Sequence, residues 1–206
     1  ILPSTAVKTN ALAALVTEAK NKNAIIDQTP NATAEEKEEA NNKVDGLQEE
    51  ADANILKAHT TEEVNNIKNQ AVQNINDVQV EVIKKQNVKK QLTQFVDNQK
   101  KIIENTPDAT LEEKAEANRL LQNVLTSASD EIANVVHNNE VDQALDKARP
   151  KIEAIVPQVS KKRDALNAIQ EAFNSQTQEI QENQEATNEE KTEALNKINQ
   201  LLNQAK

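Results

Sequence analysis

The residues most able to do chemistry in this chain are clustered acids. "NATAEEKEEAN" (31–41), "DATLEEKAEAN" (108–118) and the looser "EATNEEKTEAL" (185–195) each set adjacent glutamates beside a lysine. Neighbouring carboxylates can divide the work of a general acid and a general base, or hold a divalent cation. These clusters have neither the Glu-x-x-His spacing of a di-iron bundle nor the Asp/Gly spacing of a calcium loop. His59 and His137 occupy different places in the pattern, and there is no Cys to complete a zinc set. A nucleophile signature is also missing, because the chain has no Cys, no G-x-S-x-G and a single Gly. No catalytic, cofactor-binding or metal-ligating residue is therefore assigned, and no cofactor and no enzymatic activity are expected. Solvated faces and helix caps account for the glutamates better than a reaction does.

The elements that carry these residues follow from composition. Of 206 residues only 1% are aromatic, with one Gly and five Pro, while Ala, Leu, Glu, Lys, Gln and Asn dominate. Apart from Asn, these lose little entropy in a helix, and the turn glycines and aromatic strands of a β or α/β fold are missing. An all-α chain is predicted. A net charge of −10 opposes a phosphate backbone, so nucleic acid is not an expected partner. The densest basic run, Lys84 to Lys90, lacks interleaved aromatics and reads as a solvated helix face. No apolar run approaches the roughly 20 residues of a membrane span, so insertion is not expected. The absence of Met and the start at Ile1 point to a segment of something longer. Leu2-Pro3-Ser4-Thr5 has the form of a sortase LPxT signal, but it precedes a helix pattern instead of an apolar tail and reads as a linker.

A constant period organises the chain. Ala32, Ala109 and Ala186 lie 109 − 32 = 77 and 186 − 109 = 77 residues apart. The same register aligns Leu15, Leu92 and Ile169; Ile26, Ile103 and Ile180; and Val44, Leu121 and Ile198. The matches are mostly apolar, so what repeats is a buried face. Within a period, Ala40, Val44, Leu47, Ala51 and Ile55 form one helical stripe, and Val64, Ile67, Ala71, Ile75, Val78 and Val82 form another. Repeats are expected at 1–83 and 84–160, with a partial, two-helix repeat at 161–206. Each full repeat is predicted to be a three-helix bundle.

Thr33, Thr110 and Thr187 each precede a Glu by three positions, which is the capping box that starts a helix. Thr60 and Glu63 repeat the box, and their counterpart around His137 to Glu140 offers an Asn cap. Pro30 and Pro107 discourage the preceding helix from running through, whereas the third copy has Gln184 there. Between Glu62 and Asn105 there is no Pro, Gly or turn cluster. One helix is therefore predicted to continue from the first repeat into the second, as in a spectrin-like rod, with Lys84, Lys85, Gln86 and Lys89 as a polar junction. Pro150 and Pro157 predict a kink or break near Pro157 at the second junction. Gly46 softens its helix, and Phe95 and Phe173 read as core.

The stretch from Asn105 to Ile155, with its counterpart from Gln28 to Val78, carries "ATxEEKxxA" followed by a "TT/NN-x-V" turn. It resembles the Ala/Asn-rich tandem helical repeat of unknown function in staphylococcal cell-wall-anchored surface proteins of the surface protein C and methicillin-resistance surface protein type. The resemblance implies an extracellular, wall-anchored location, a stalk carrying a distal adhesive domain, and a part in aggregation or biofilm. A host serum or matrix protein, or another copy of the chain, is the kind of partner it implies.

Overall fold

A computed structural model describes residues 5–205, and helix is the only regular structure among them. The order is α1 (Ala6–Asp27), α2 (Ala34–Lys57), α3 (Thr61–Asp77), α4 (Lys84–Glu104), α5 (Leu111–Asn134), α6 (Asn138–Glu153), α7 (Lys161–Glu182) and α8 (Asn188–Ala205). The all-α tandem helical repeat is confirmed. Leu2 to Ser4 of the LPxT-like stretch lie outside the described residues.

The chain divides into two compact units. The first runs to Phe95 and includes Val124–Lys151. In it α1, α2 and α3 pack pairwise around one core, where Leu15, Val44, Ile55 and Ile75 are fully buried and Ala11, Ala19, Ala40, Ala51, Val64 and Ala71 fill the spaces between. Those are the positions of the predicted stripes. The same unit holds the first half of α4, the second half of α5 and nearly all of α6, which bury Val88, Leu92, Ala128, Ile132, Val141 and Ala148. Phe95 is only half-buried, with the Arg149 guanidinium 5.1 Å from its ring centroid. The second unit comprises Val96–Asn123 and Ile152–Lys206. It buries Val96, Ile103, Ala117, Leu121 and Ile152, while α7 and α8 pack on each other without a single buried residue. Phe173 is half-buried there.

The helix starts form as their sequences require. Thr33 with Glu36, Thr60 with Glu63, Thr110 with Glu113, and Thr187 with Glu190 all close capping boxes. After Pro30 and Pro107 the chain turns through Asn31 (φ 63°) and Asp108 (φ 61°), residue types that tolerate the left-handed region. Helix ends are held by lysines in the same register. Lys37, Lys114 and Lys191 donate to the carbonyls of Asp27, Glu104 and Gln181 at 2.7, 2.7 and 3.1 Å. Lys8 and Lys85 reach those of Leu56 and Ala133 at 2.7 and 2.8 Å. Each puts a cation at the negative end of a helix dipole.

The continuous helix predicted between Glu62 and Asn105 is not formed. Residues 78–83 are non-helical, and Val78 is extended at φ −61°, ψ 128°. The reason lies in "VQVEVI": β-branched side chains at alternate positions lose rotamer freedom in a helix and suit an extended chain with one face buried. Val78 and Val80 pack against the core of the first three helices while Gln79 and Glu81 face water. Pro157 stands in register with Val80 (80 + 77 = 157) and is buried in the corresponding non-helical stretch, 154–160. The break expected near Pro157 is present, and Pro150 is accommodated inside α6.

Candidate functional site at the repeat junctions

The most organised polar chemistry lies where one repeat gives way to the next. At the first junction the α2 capping-box carboxylate serves two helix starts. Glu36 Oε2 accepts from the Thr33 N–H at 2.8 Å, closing its own cap. Its Oε1 accepts from the N–H groups of Ile83 and Lys84 at 2.8 and 2.7 Å, at the start of α4. Free N–H groups at a helix start attract a carboxylate through both hydrogen bonding and the dipole. Burial pushes the Glu36 carboxyl up, but the N–H groups of Lys84, Thr33 and Ile83 outweigh it, and the net shift is downward.

The second junction, inside the other unit, reproduces this geometry 77 residues later. Glu113 Oε2 takes the Thr110 N–H at 2.8 Å, and Oε1 takes those of Ser160 and Lys161 at 2.9 and 3.1 Å, where α7 begins. The backbone N–H groups of Thr110, Ser160 and Lys161 hold the Glu113 carboxyl down at about 2. A carboxylate saturated in this way is a poor proton acceptor at neutral pH. It fastens one element to another.

The first junction carries further bonds. Glu35 Oε2 accepts from the Asn138 N–H at 3.0 Å, its Oε1 lies 3.2 Å from His137 Nδ1, and the Ala34 N–H donates to the Val136 carbonyl at 2.9 Å. The first turn of α2 thus supplies the anion for the start of α6. The Asn cap expected for α6 is replaced: His137 takes the N-cap position, Glu140 Oε2 accepts from the N–H groups of His137 and Val136, and Glu35 covers Asn138. Lys84 Nζ lies 2.7 Å from Asp142.

These bonds correct the view of Lys84 to Lys90 as a solvated face. Lys85 is buried with its ammonium on a carbonyl, and Lys84 is half-buried, while Lys89 and Lys90 are exposed. His59 uses its backbone N–H to bond Glu63 at 2.6 Å. Among the described residues no group of three or more His, Cys, Asp or Glu could hold a metal ion, and no helix is long and apolar enough to cross a membrane. The second partners of Glu36 and Glu113 were missed from the sequence. The signal was present in the register of Lys84 with Lys161, each preceded by a stretch unfit for helix.

Comparison with known proteins gives three successive matches to one family, a Domain of Unknown Function (DUF1542), at residues 7–83, 84–160 and 161–206. The chain is 28% identical over 184 residues to the "Extracellular matrix-binding protein EbhA" of Staphylococcus aureus strain Newman, covering 87% of this chain and 5% of that protein. It is likewise 28% identical over 184 residues to the "Extracellular matrix-binding protein ebh" of strain NCTC 8325, covering 87% of this chain and 2% of that protein. The chain therefore spans only a few hundredths of the length of these relatives. No solved structure matches. With all but the first few residues falling in those three matches, the chain belongs to the DUF1542 family of tandem repeats.

Proposed function

We propose that this chain is a non-catalytic spacer segment of a bacterial surface adhesin, in which repeats at 1–83, 84–160 and 161–206 hold a distal binding domain away from the cell wall. The supporting observation is the repeated junction: Glu36 and Glu113 each tie the start of one helix to the start of the next repeat through the same three N–H groups. A fastening that recurs at a fixed interval suits a part whose task is to keep distance. The relatives' names, as extracellular matrix-binding proteins, favour an extracellular location and an adhesive context. Small-angle scattering of the whole chain tests the spacer: an elongated particle is expected, and a globule of ordinary dimensions sinks it.

A second reading is a binding module for a host matrix or serum protein. It is favoured by those names and by a cleft of about 550 Å³ between α5 and residues 154–161. Leu120 and Val156 line that cleft where the first repeat has Lys43 and Gln79 in register, so this surface is not a by-product of the repeat. Passing fibronectin, fibrinogen, albumin and immunoglobulin over the immobilised chain decides. Binding that Leu120→Lys abolishes supports the module, and silence from all four removes its support. Sedimentation at high concentration tests self-association in the same way.

A further inference from the structure

We propose that the exposed apolar face of the α7–α8 hairpin is a seat for one added amphipathic helix of this repeat's own third-helix type. The proposal needs 161–206 to be a repeat unit and is independent of the spacer role.

Residues at one register position differ sharply in burial along the chain. Leu15 and Leu92 are 0% and 1% exposed, yet Ile169 in the same register is only half-buried. Val44 and Leu121 are fully buried, and their counterpart Ile198 is not. Ala19 and Val96 are buried, whereas Phe173, a larger apolar residue in their place, is half-exposed. Together with Ala172 and Leu202, these residues line an open cleft of about 220 Å³. Water contact on side chains of this size is unfavourable in proportion to the area exposed.

What covers the matching face elsewhere in the chain is known. Over α1 and α2 lies α3, with Val64, Ala71 and Ile75 turned inward. A polar contact marks the register of that helix. Lys22, buried on α1, donates to the Asn76 carbonyl at 2.7 Å, and Gln99, buried on α4, donates to the Ile155 carbonyl at 2.6 Å. Both carbonyls lie at or just beyond the C-terminal end of a third helix, α3 or α6. Gln176 occupies the same register on α7, is exposed, and donates to Glu179 Oε2 at 2.8 Å. The seat therefore has an apolar groove and an amide placed to take a backbone carbonyl at the end of whatever helix lies in it. An occupant needs apolar residues stepping by three and four over about four turns, a Thr-x-x-Glu or similar cap, and an extended stretch after it.

Titration of the isotopically labelled whole chain with a synthetic peptide of residues 59–83, which contains α3, its cap and its linker, tests this by amide NMR. Saturable shifts are expected at Ile169, Phe173, Gln176, Ile198 and Leu202. A peptide carrying Val64→Asn and Ile75→Asn is expected to bind at least about tenfold more weakly, because it buries polar groups without partners. Gln176→Ala, a change on an exposed helix surface that leaves the hairpin folded, is expected to weaken binding about threefold to tenfold. Absence of shifts at millimolar peptide, shifts confined to α1 and α2, or equal binding of the substituted peptide overturns the proposal. So does sedimentation as a dimer with the α7–α8 amides already protected, since a second hairpin would then be the occupant.

Discussion

The first repeat and residues 161–206 carry the same stripe in the same register, yet one is a core and the other a surface. Around α1 to α3, Leu15, Val44, Ile55 and Ile75 are sealed from water. Along α7 and α8 every counterpart is at least partly exposed, and Leu166 and Leu201 are 43% and 57% accessible. The difference teaches that pairwise helix packing is not enough here. A stripe on two helices becomes interior only when a third element closes over it, because a helix pair leaves one side of its groove open to solvent.

The largest expected effect tests that contrast directly. Leu15→Ala is expected to cost about 3 kcal/mol, since a sealed Leu leaves a cavity, whereas Ile169→Ala is expected to cost about 1 kcal/mol or less. Hydrogen exchange read residue by residue separates the two regions, which a single unfolding midpoint does not. Equal losses would show that α7 and α8 are as well closed as the first repeat.

Next in size is the junction carboxylate. Glu36→Gln keeps the shape, removes the charge and turns an N–H donor toward other donors, at an expected cost of about 2 kcal/mol. Glu190 closes only its own capping box, through Thr187. Glu190→Gln is therefore expected to have the smaller effect in urea unfolding. If the two substitutions cost the same, the bonds from Glu36 to Ile83 and Lys84 contribute nothing.

Acid provides a third test, and its sign follows from the lowered carboxyls. Glu36, Glu63 and Glu113 have folded pKa values below the ordinary 4.5, so they stabilise the fold above that pH. The contribution fades as pH falls through the folded values, and for Glu113 the loss runs from about 4.5 to about 2. Stability by urea titration is expected to decline over that range in the wild-type chain. The decline is expected to be shallower in Glu113→Gln.

How much of this was legible in the sequence depended on whether a signal was local. The stripes, the capping boxes and the period of 77 could be read from spacing alone, because each residue's neighbours along the helix decide its role. The break at 78–83 was written in "VQVEVI", but the search for Gly, Pro and polar turns passed over a β-branched alternation that ends a helix just as firmly. Pro157 in register with Val80 pointed to the same break. Glu35 and Glu36 show the other limit. Their caps are local, whereas their bonds to Asn138, Ile83 and Lys84 join residues 47 to 103 positions apart and depend on how the elements meet. Lys85 shows the same limit, reading as a solvated charge until the Ala133 carbonyl is brought beside it.

A smaller effect is expected at Gly46, where the first repeat departs from the others, which have Asn123 and Gln200 in register. A methyl group added there meets nothing within 4 Å, and the residue has ordinary helical geometry. Gly46→Ala is therefore expected to stabilise the first repeat by about 0.5–1 kcal/mol, through the unfolded chain's lost freedom. A destabilising result would mean that α2 uses the flexibility of this position.

The smallest expected effect is at the ion pair of Lys84 with Asp142, which joins the start of α4 to α6 at 2.7 Å. Its side chains remain 28% and 55% accessible, so water and salt screen the attraction and the Lys84 side chain loses freedom in making it. Asp142→Asn is expected to cost about 0.3 kcal/mol, and that loss is expected to vanish in high salt. The main-chain N–H of the same Lys84, held by Glu36, gives the internal contrast: one residue contributes a screened charge through its side chain and a saturated helix start through its backbone. If Asp142→Asn proved as costly as Glu36→Gln, the first junction would be held by its surface charges and the backbone bonds would be incidental.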